Sequence, residues 1–460
     1  MNIIGLLKKI NNPYIFEKIL FIKDILKLNY DQTLKKKIIN TFYMRILWFS
    51  PTSSQYNKGS HRYYGGGWVE ALEQVVAESP DIELGISFFH DTDQKKKQIR
   101  NVSYYPIQLK QKGNINKLIT NWSCKLRSKE YVKEFLDVIT DFKPDIIQVF
   151  GTENPFAEIQ HFTEIPVVLY LQGLINPYAN AFYPPGINDY NVLTHLPFFK
   201  NHIFGNSLFF DKKRFEKQAD RELNYFKNSK YLVGRTCWDK GISTLLAPQA
   251  KYFHVDDILR SSFYEARPWS SGQHNRLRII STLSSTIYKG LDLVLKTAFL
   301  LKKNFGSDFE WHIIGLDEKD KLVGFFEHNL KKRFRDCNVS FLGVLREAEL
   351  IAKLQAADIF IHPSYIENSP NSLGEAQLLG LPVISCNVGG TLNLIEDDKN
   401  GILVPANAPY ELAYAIISLA KDKNRAARMG RQARTIAMEK YDRNKTFNAV
   451  MDVYQTIYNG

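Results

Sequence analysis

With 460 residues the chain exceeds the size at which one hydrophobic core usually stops growing, which excludes a single small domain and leads us to expect two domains. Hydrophobic residues at 44% and aromatics at 13% are those of a globular protein, and a net charge of +12 calls for an anionic partner, whether nucleotide, membrane or nucleic acid. Cys124, Cys237, Cys337 and Cys386 lie far apart without a C-x-x-C pair, which argues for reduced thiols in the cytoplasm and against a disulfide frame or a structural metal site.

Residues 1–43 space Ile and Leu helically among eight lysines and three acids. They lack an uninterrupted apolar core and a small-residue cleavage site, so they are neither a membrane span nor a signal peptide. Two readings remain: a basic amphipathic helix lying on anionic lipid, or a loose extension from translation starting upstream of Met44. The fold proper begins at Met44 with the buried strand MRILWFSP, and a glycine-bearing loop then opens a helix at about Trp68. Gly65, Gly66 and Gly67 either let a bound group approach the backbone at the helix N-terminus or make a plain tight turn. No acid follows some twenty residues on in a G-x-G-x-x-G pattern, which argues against a dinucleotide site.

Residues 82–89, 102–109, 145–150 and 166–171 read as strands and 131–142 as a helix, an α/β alternation. His90-Asp91-Thr92-Asp93 offers two aspartates to a cation, but next to Lys95, Lys96 and Lys97 it reads as a solvated turn. Between Asp91 and Lys133 eleven Lys or Arg face three Asp or Glu. Two strand ends carry polar groups, Gly151-Thr152-Glu153-Asn154 and Gln172-Gly173. The run 195–217 mixes paired phenylalanines with basic residues, either as the core face of an amphipathic helix or as a contact for lipid. Arg235 follows the strand 231–234 at its carboxyl end, where it either meets an anion in a cleft or pairs with Asp239. The stretch 265–276, rich in Pro, Ser, Gly and charge, is the expected linker.

A fresh α/β series follows, with strands at 277–283, 309–315 and 339–343 and helices at 290–304 and 347–356, implying a parallel sheet covered on both faces. Lys289 precedes a helix-opening glycine at the carboxyl end of the first of these strands. There it either neutralises a diphosphate as a point charge or is a surface lysine. A strand at 358–362 leads into HPSYIENSPNSLGEAQLLGLPVI, residues 362–384. Ser369 reads as an N-cap and Pro370 as the first helical position, which leaves the amides of Asn371, Ser372 and Leu373 as a phosphate seat. Glu375 shares a helix face with Asn371, and Glu367 stays in the loop at the carboxyl end of the strand. Two acids would repel a phosphate, so they are better suited to accepting hydroxyls of groups that flank one. Strands at 383–386 and 402–404 and helices at 409–421, 424–440 and 445–458 complete the chain.

That run, with Glu367, seven residues and Glu375, resembles the signature of the retaining family-four glycosyltransferases, also called glycosyl transferases group 1. The resemblance implies an α/β fold of GT-B type, two Rossmann-like doubly wound domains facing a central cleft. Residues 44–264 would be the acceptor domain and 277–440 the nucleotide-sugar domain, with 441–460 crossing back to the first. By resemblance Glu367 holds the donor sugar and Glu375 the ribose. Lys289 and the amides of Asn371, Ser372 and Leu373 hold the diphosphate, Gly66 and Gly67 face it across the cleft, and the base lies near Leu342 to Arg346. Two positions depart from the family pattern. Gln172 stands where a His is usual, and Ser284 where an Arg is usual, so Lys289 and the helix N-terminus suffice alone or Arg235 or Arg346 substitutes. The implied reaction moves a sugar from a nucleotide-diphosphate sugar to a saccharide or lipid-linked acceptor with retention, without cofactor or metal. Surface polysaccharide biosynthesis in the cytoplasm, with peripheral contact to an anionic membrane, is the implied setting. Alternatives are a non-catalytic GT-B partner of another transferase and a GT-B nucleotide-sugar epimerase, against which the non-titrating Gln172 counts. A nucleic-acid partner is not expected, because no recognition motif accompanies the charge.

Overall fold

Runs of Ile, Val and Phe bounded by Gly, Pro and Asp form short buried strands, and the helices between them make those strands parallel. The computed structural model describes residues 43–57, 67–110, 113–272, 275–306 and 308–460. Arg45–Gly460 forms one compact unit. The expected extension 1–43, but for its last residue, lies outside the described residues, as do Gly65 and Gly66.

The first half contains β1 (Met44–Phe49), α1 (Gly67–Ala77), β2 (Ile82–His90), β3 (Lys97–Ile99), β4 (Val102–Gln108), α2 (Asn114–Ser123), α3 (Val132–Phe142), β5 (Ile146–Phe150) and β6 (Val167–Tyr170). Short helices α4 (Ile175–Asn180), α5 (Asp189–Leu193) and α6 (Phe199–Ile203) lead into the long α7 (Leu208–Asn228), then β7 (Tyr231–Gly234), α8 (Cys237–Leu246), β8 (Lys251–His254) and α9 (Ser261–Glu265). The second half runs β9 (Leu277–Thr282), α10 (Leu291–Phe305), β10 (Phe309–Ile314), α11 (Lys321–Leu330), β11 (Val339–Gly343), α12 (Glu347–Gln355), β12 (Ile359–His362), α13 (Asn371–Leu379), β13 (Val383–Cys386) and β14 (Ile402–Val404). Helices α14 (Pro409–Lys421), α15 (Lys423–Lys440) and α16 (Arg443–Asn459) close it.

Two sheets result, ordered β3-β4-β2-β1-β5-β6-β7-β8 and β11-β10-β9-β12-β13-β14. The edge strand β3 runs antiparallel to β4. Leu47, Phe49, Phe135 and Phe156 pack the first core, and Ile279, Leu293, Trp311 and Ile361 the second. Helix α16 returns to the first sheet, where buried Tyr454 accepts from Trp48 Nε1 at 2.9 Å and donates to Gln148 at 2.7 Å. The irregular stretch after α9 is pinned rather than loose: Trp269 donates its amide to Leu379 O and its ring nitrogen to Ala357 O, each at 2.7 Å.

The run 195–217 is not one helix. Gly205, at φ +66, and Asn206 break it between α6 and α7, because a side chain at 205 would strike the backbone of α2. Its phenylalanines split accordingly, Phe198 stacking on Phe325 at 5.3 Å while Phe199 faces solvent.

Candidate active site

The carboxyl ends of the two sheets meet. After β12, buried Asn368 donates to the carbonyl of Gln172 at 3.0 Å and to Asp239 at 2.9 Å, and accepts from Thr236 at 2.7 Å. This close approach needs the glycine pair that follows β13: a Cβ on Gly389, at φ +51, would lie 1.8 Å from Glu367 O, and one on Gly390 2.0 Å from Asn368 O. The neighbouring turn is equally demanding. Gly290, at φ +80, lies against Pro363, whose carbonyl a Cβ would meet at 2.0 Å; as the N-cap of α10 it holds Lys289, the residue before it, over the β12 loop.

Lys289 and Glu367, 78 residues apart, form an ion pair there. Ser364 donates to the same carboxylate at 3.0 Å, and His362 Nε2 lies 3.5 Å from it. Burial alone would raise this carboxyl, but the Lys289 charge and the His362 and Lys289 hydrogen bonds outweigh it and hold it down at about 2. Tyr178 and Tyr288, rings 5.4 Å apart, adjoin it, and their hydroxyls are pushed up by burial and then by the Glu367 charge.

Glu375, on α13, is also buried but is held differently. Arg260 grips it with both arms, Nε to Oε1 and Nη2 to Oε2 at 2.7 Å each, and reaches Glu347 with Nη1 at 3.4 Å. Burial still raises the Glu375 carboxyl, against the opposing pull of Arg260. The guanidinium lies over Phe263 at 4.7 Å, and its stem packs on Gly67 at the start of α1, where a Cβ would come within 3.0 Å of Arg260 Cδ. Gly67 is therefore brought to Glu375 through Arg260. The sequence reading missed Arg260; no local pattern marks an arginine whose partner lies 115 residues on.

The start of α13 differs from expectation by one residue. Pro370, with ψ 112, is the N-cap, and the Ser369 hydroxyl donates to Asp257 at 3.3 Å instead of capping the helix. The Leu373 amide donates to Pro370 O at 3.0 Å, which takes it out of the expected phosphate seat and leaves Asn371 and Ser372 of the three. Arg235 also departs from its expected place. It is 3% exposed, pairs with Asp257, donates to Leu171 O at 2.7 Å and lies over Trp68 at 4.7 Å, so it is a structural ion pair and cannot reach a ligand. Asp239, its expected partner, takes only its backbone amide, at 2.9 Å. Arg346 is exposed at the start of α12.

On the first sheet's side, Gln172 has its amide nitrogen buried with no hydrogen-bond partner among the described residues, and Asn371 Oδ1 across the cleft is in the same condition. Glu153 follows β5 and accepts from the Gly173 amide at 3.3 Å; burial, with the Glu222 charge adding to it, pushes its carboxyl up to about 7. Among the described residues no group of three His, Cys, Asp or Glu is placed to hold a metal ion.

Two parallel sheets joined at their carboxyl ends, with a final helix returning to the first, define the GT-B fold of glycosyltransferases. A sucrose-phosphate synthase from Thermosynechococcus elongatus superposes with a TM-score of 0.66 at 14% identity, over 90% of this chain and 99% of that one. Anabaena Alr3699/HepE, solved in complex with UDP-glucose, superposes with a TM-score of 0.61 at 14% identity, over 90% of this chain and 100% of that one. Residues 267–436 match the family described as glycosyl transferases group 1. The amylovoran biosynthesis glycosyltransferase AmsK of Erwinia amylovora is 33% identical over 158 residues, 32% of this chain and 37% of that protein. Well under half the length of these curated relatives is thus spanned, and the family match contains Lys289, Glu367 and Glu375.

Proposed function

We propose that this chain is a retaining, metal-independent glycosyltransferase that moves a sugar from a nucleotide-diphosphate sugar to a saccharide or lipid-linked saccharide in surface polysaccharide biosynthesis. The observation that carries the reading is a pair of buried carboxylates on either side of the α13 N-terminus, each held by its own cation, Glu367 by Lys289 and Glu375 by Arg260. An ionised Glu367 accepts hydroxyls of the donor sugar and Glu375 those of the ribose. Lys289 and the Asn371 and Ser372 amides neutralise the departing diphosphate, so that catalysis rests on positioning and electrostatic stabilisation. The donor offers partners to the buried Gln172 amide and Asn371 carbonyl. With Ser284 in place of an arginine and Arg235 buried in its own ion pair, Arg260 is the second cation of the seat, released from Glu375 when the ribose takes that carboxylate. Arg346, exposed at the head of α12, borders the base. The name of AmsK and the UDP-glucose bound to HepE agree with this donor class and setting.

A panel of nucleotide sugars in a thermal-shift assay tests the reading, because a ligand that binds only the folded form raises its melting temperature. A second reading, a non-catalytic GT-B partner of another transferase, is favoured by the same Ser284 and Gln172. Product formed by the purified chain alone would dispose of it.

A further inference from the structure

Helix α2 is unusual for a globular domain: none of its residues is buried. Ile115, Leu118, Ile119 and Trp122 recur at the spacing of one helical stripe, and they are 76, 38, 60 and 55% exposed. Such a stripe normally faces a core, and here it faces out. It does not stand alone. Trp122 Nε1 donates to Ile203 O at 2.9 Å and Asn121 Nδ2 to Phe204 O at 3.1 Å, which sets α2 beside α6 and the segment before it. The segment adds Leu196 and α6 adds Phe199, 82 and 63% exposed. The result is an apolar patch far more concentrated than scattered surface side chains produce.

Charge decides what it fits. Residues 113–129 and 190–204 contain Lys117, Lys125, Lys129 and Lys200 and no Asp or Glu; the bordering acids Glu130 and Asp189 are taken up by Arg127 and Lys212, and Lys217 joins the edge by donating to Ser123 O at 2.6 Å. A second copy would bring like charge against like. Residues 1–43, with eight lysines and three acids, would do the same. We propose that the face made by α2 and residues 190–204 docks on an anionic lipid bilayer, with Ile115, Ile119 and Phe199 entering the headgroup region and the lysines contacting the lipid phosphates. Exposed aromatic and aliphatic side chains with lysines in the adjoining segments suit that boundary. The inference deepens the proposed function by placing a lipid-linked acceptor within reach, and depends on that reading for this consequence alone.

The test is flotation of the full chain with phosphatidylcholine vesicles, with and without about a third phosphatidylglycerol. Wild type should bind the anionic vesicles, bind the neutral ones at least about ten-fold more weakly, and be released by salt near ~0.5 M. Ile115→Glu/Ile119→Glu and Phe199→Glu, all at exposed positions, should each cut binding by about ten-fold or more while melting temperature and nucleotide binding stay as in wild type. Quenching of Trp122 by brominated lipid should vanish in Trp122→Phe. Three results overturn the proposal: no vesicle binding, binding that the glutamate variants leave intact, or a concentration-dependent dimer that they dissolve. None of these depends on whether a nucleotide sugar binds, so the docking face and the transferase reading fail separately.

Discussion

Replacing Lys289 by Met removes the charge that keeps a buried carboxylate ionised, and the consequence is dominated by pH. The Glu367 side chain is 7% exposed and that of Lys289 25%, so breaking this pair at neutral pH should destabilise the fold by about 3 kcal/mol, the lower end for a buried pair. Glu367 is held at about 2 against an ordinary 4.5. A depressed carboxyl lends stability that is present above 4.5 and lost as pH falls toward 2; of about 3 kcal/mol in total, about 2 kcal/mol should be gone by about pH 3. Without Lys289, burial, which raises the carboxyl, is opposed by His362, so the variant lacks most of the wild-type loss of stability toward low pH. Wild type and Lys289→Met should therefore differ most near pH 7 and converge by at least about 2 kcal/mol at pH 3. Urea unfolding at both pH values measures this, with Glu367→Gln as control, in which Lys289→Met should cost little. A gap that stays constant with pH, or a double variant in which the two losses simply add, would refute the electrostatic account of this pair.

Arg260→Met should weaken binding of a nucleoside diphosphate by about ten-fold or more, the scale of a lost hydrogen bond to a charged group, while binding of the matching nucleoside is spared; titration calorimetry with both ligands checks it. Gly290→Ala should destabilise by at least about 2 kcal/mol, because the new Cβ meets Pro363 O in a left-handed backbone conformation, and thermal unfolding reads the loss. Glu153→Gln should flatten a stability change present in wild type. A carboxyl raised to about 7 favours the fold below 4.5, and that advantage fades as pH climbs from 4.5 to 7, a slope that unfolding across that window detects.

Much of this was legible in the chain because local chemistry decided it. IIQVF, LRIIST and IFIH are runs too apolar to lie anywhere but in a sheet covered on both faces, and they form β5, β9 and β12. That Lys289 and Glu367 share one crevice followed from placing both at strand ends, where a parallel sheet gathers its loops, but their ion pair was not foreseen. What escaped is long-range. Arg260 reads as one basic residue among several until the fold brings it to Glu375. Arg235 carried the right charge at the right strand end, but Asp257 and two aromatic rings enclose it. At α13, Ser-Pro fits a cap and first turn equally one residue earlier or later. Asp257 claimed the Ser369 hydroxyl and shifted the register. The stripe on α2 had the spacing of a core helix, and nothing in the sequence says that no core lies opposite.

The most direct test of the central claim is calorimetric titration of wild type and Glu375→Ala with a panel of nucleotide-diphosphate sugars. Wild type should bind at least one member, and the variant should bind that same ligand at least about a hundred-fold more weakly, since a desolvated ribose would lose its charged acceptor. Binding of equal strength to both proteins, or of no nucleotide sugar to wild type, would contradict the account.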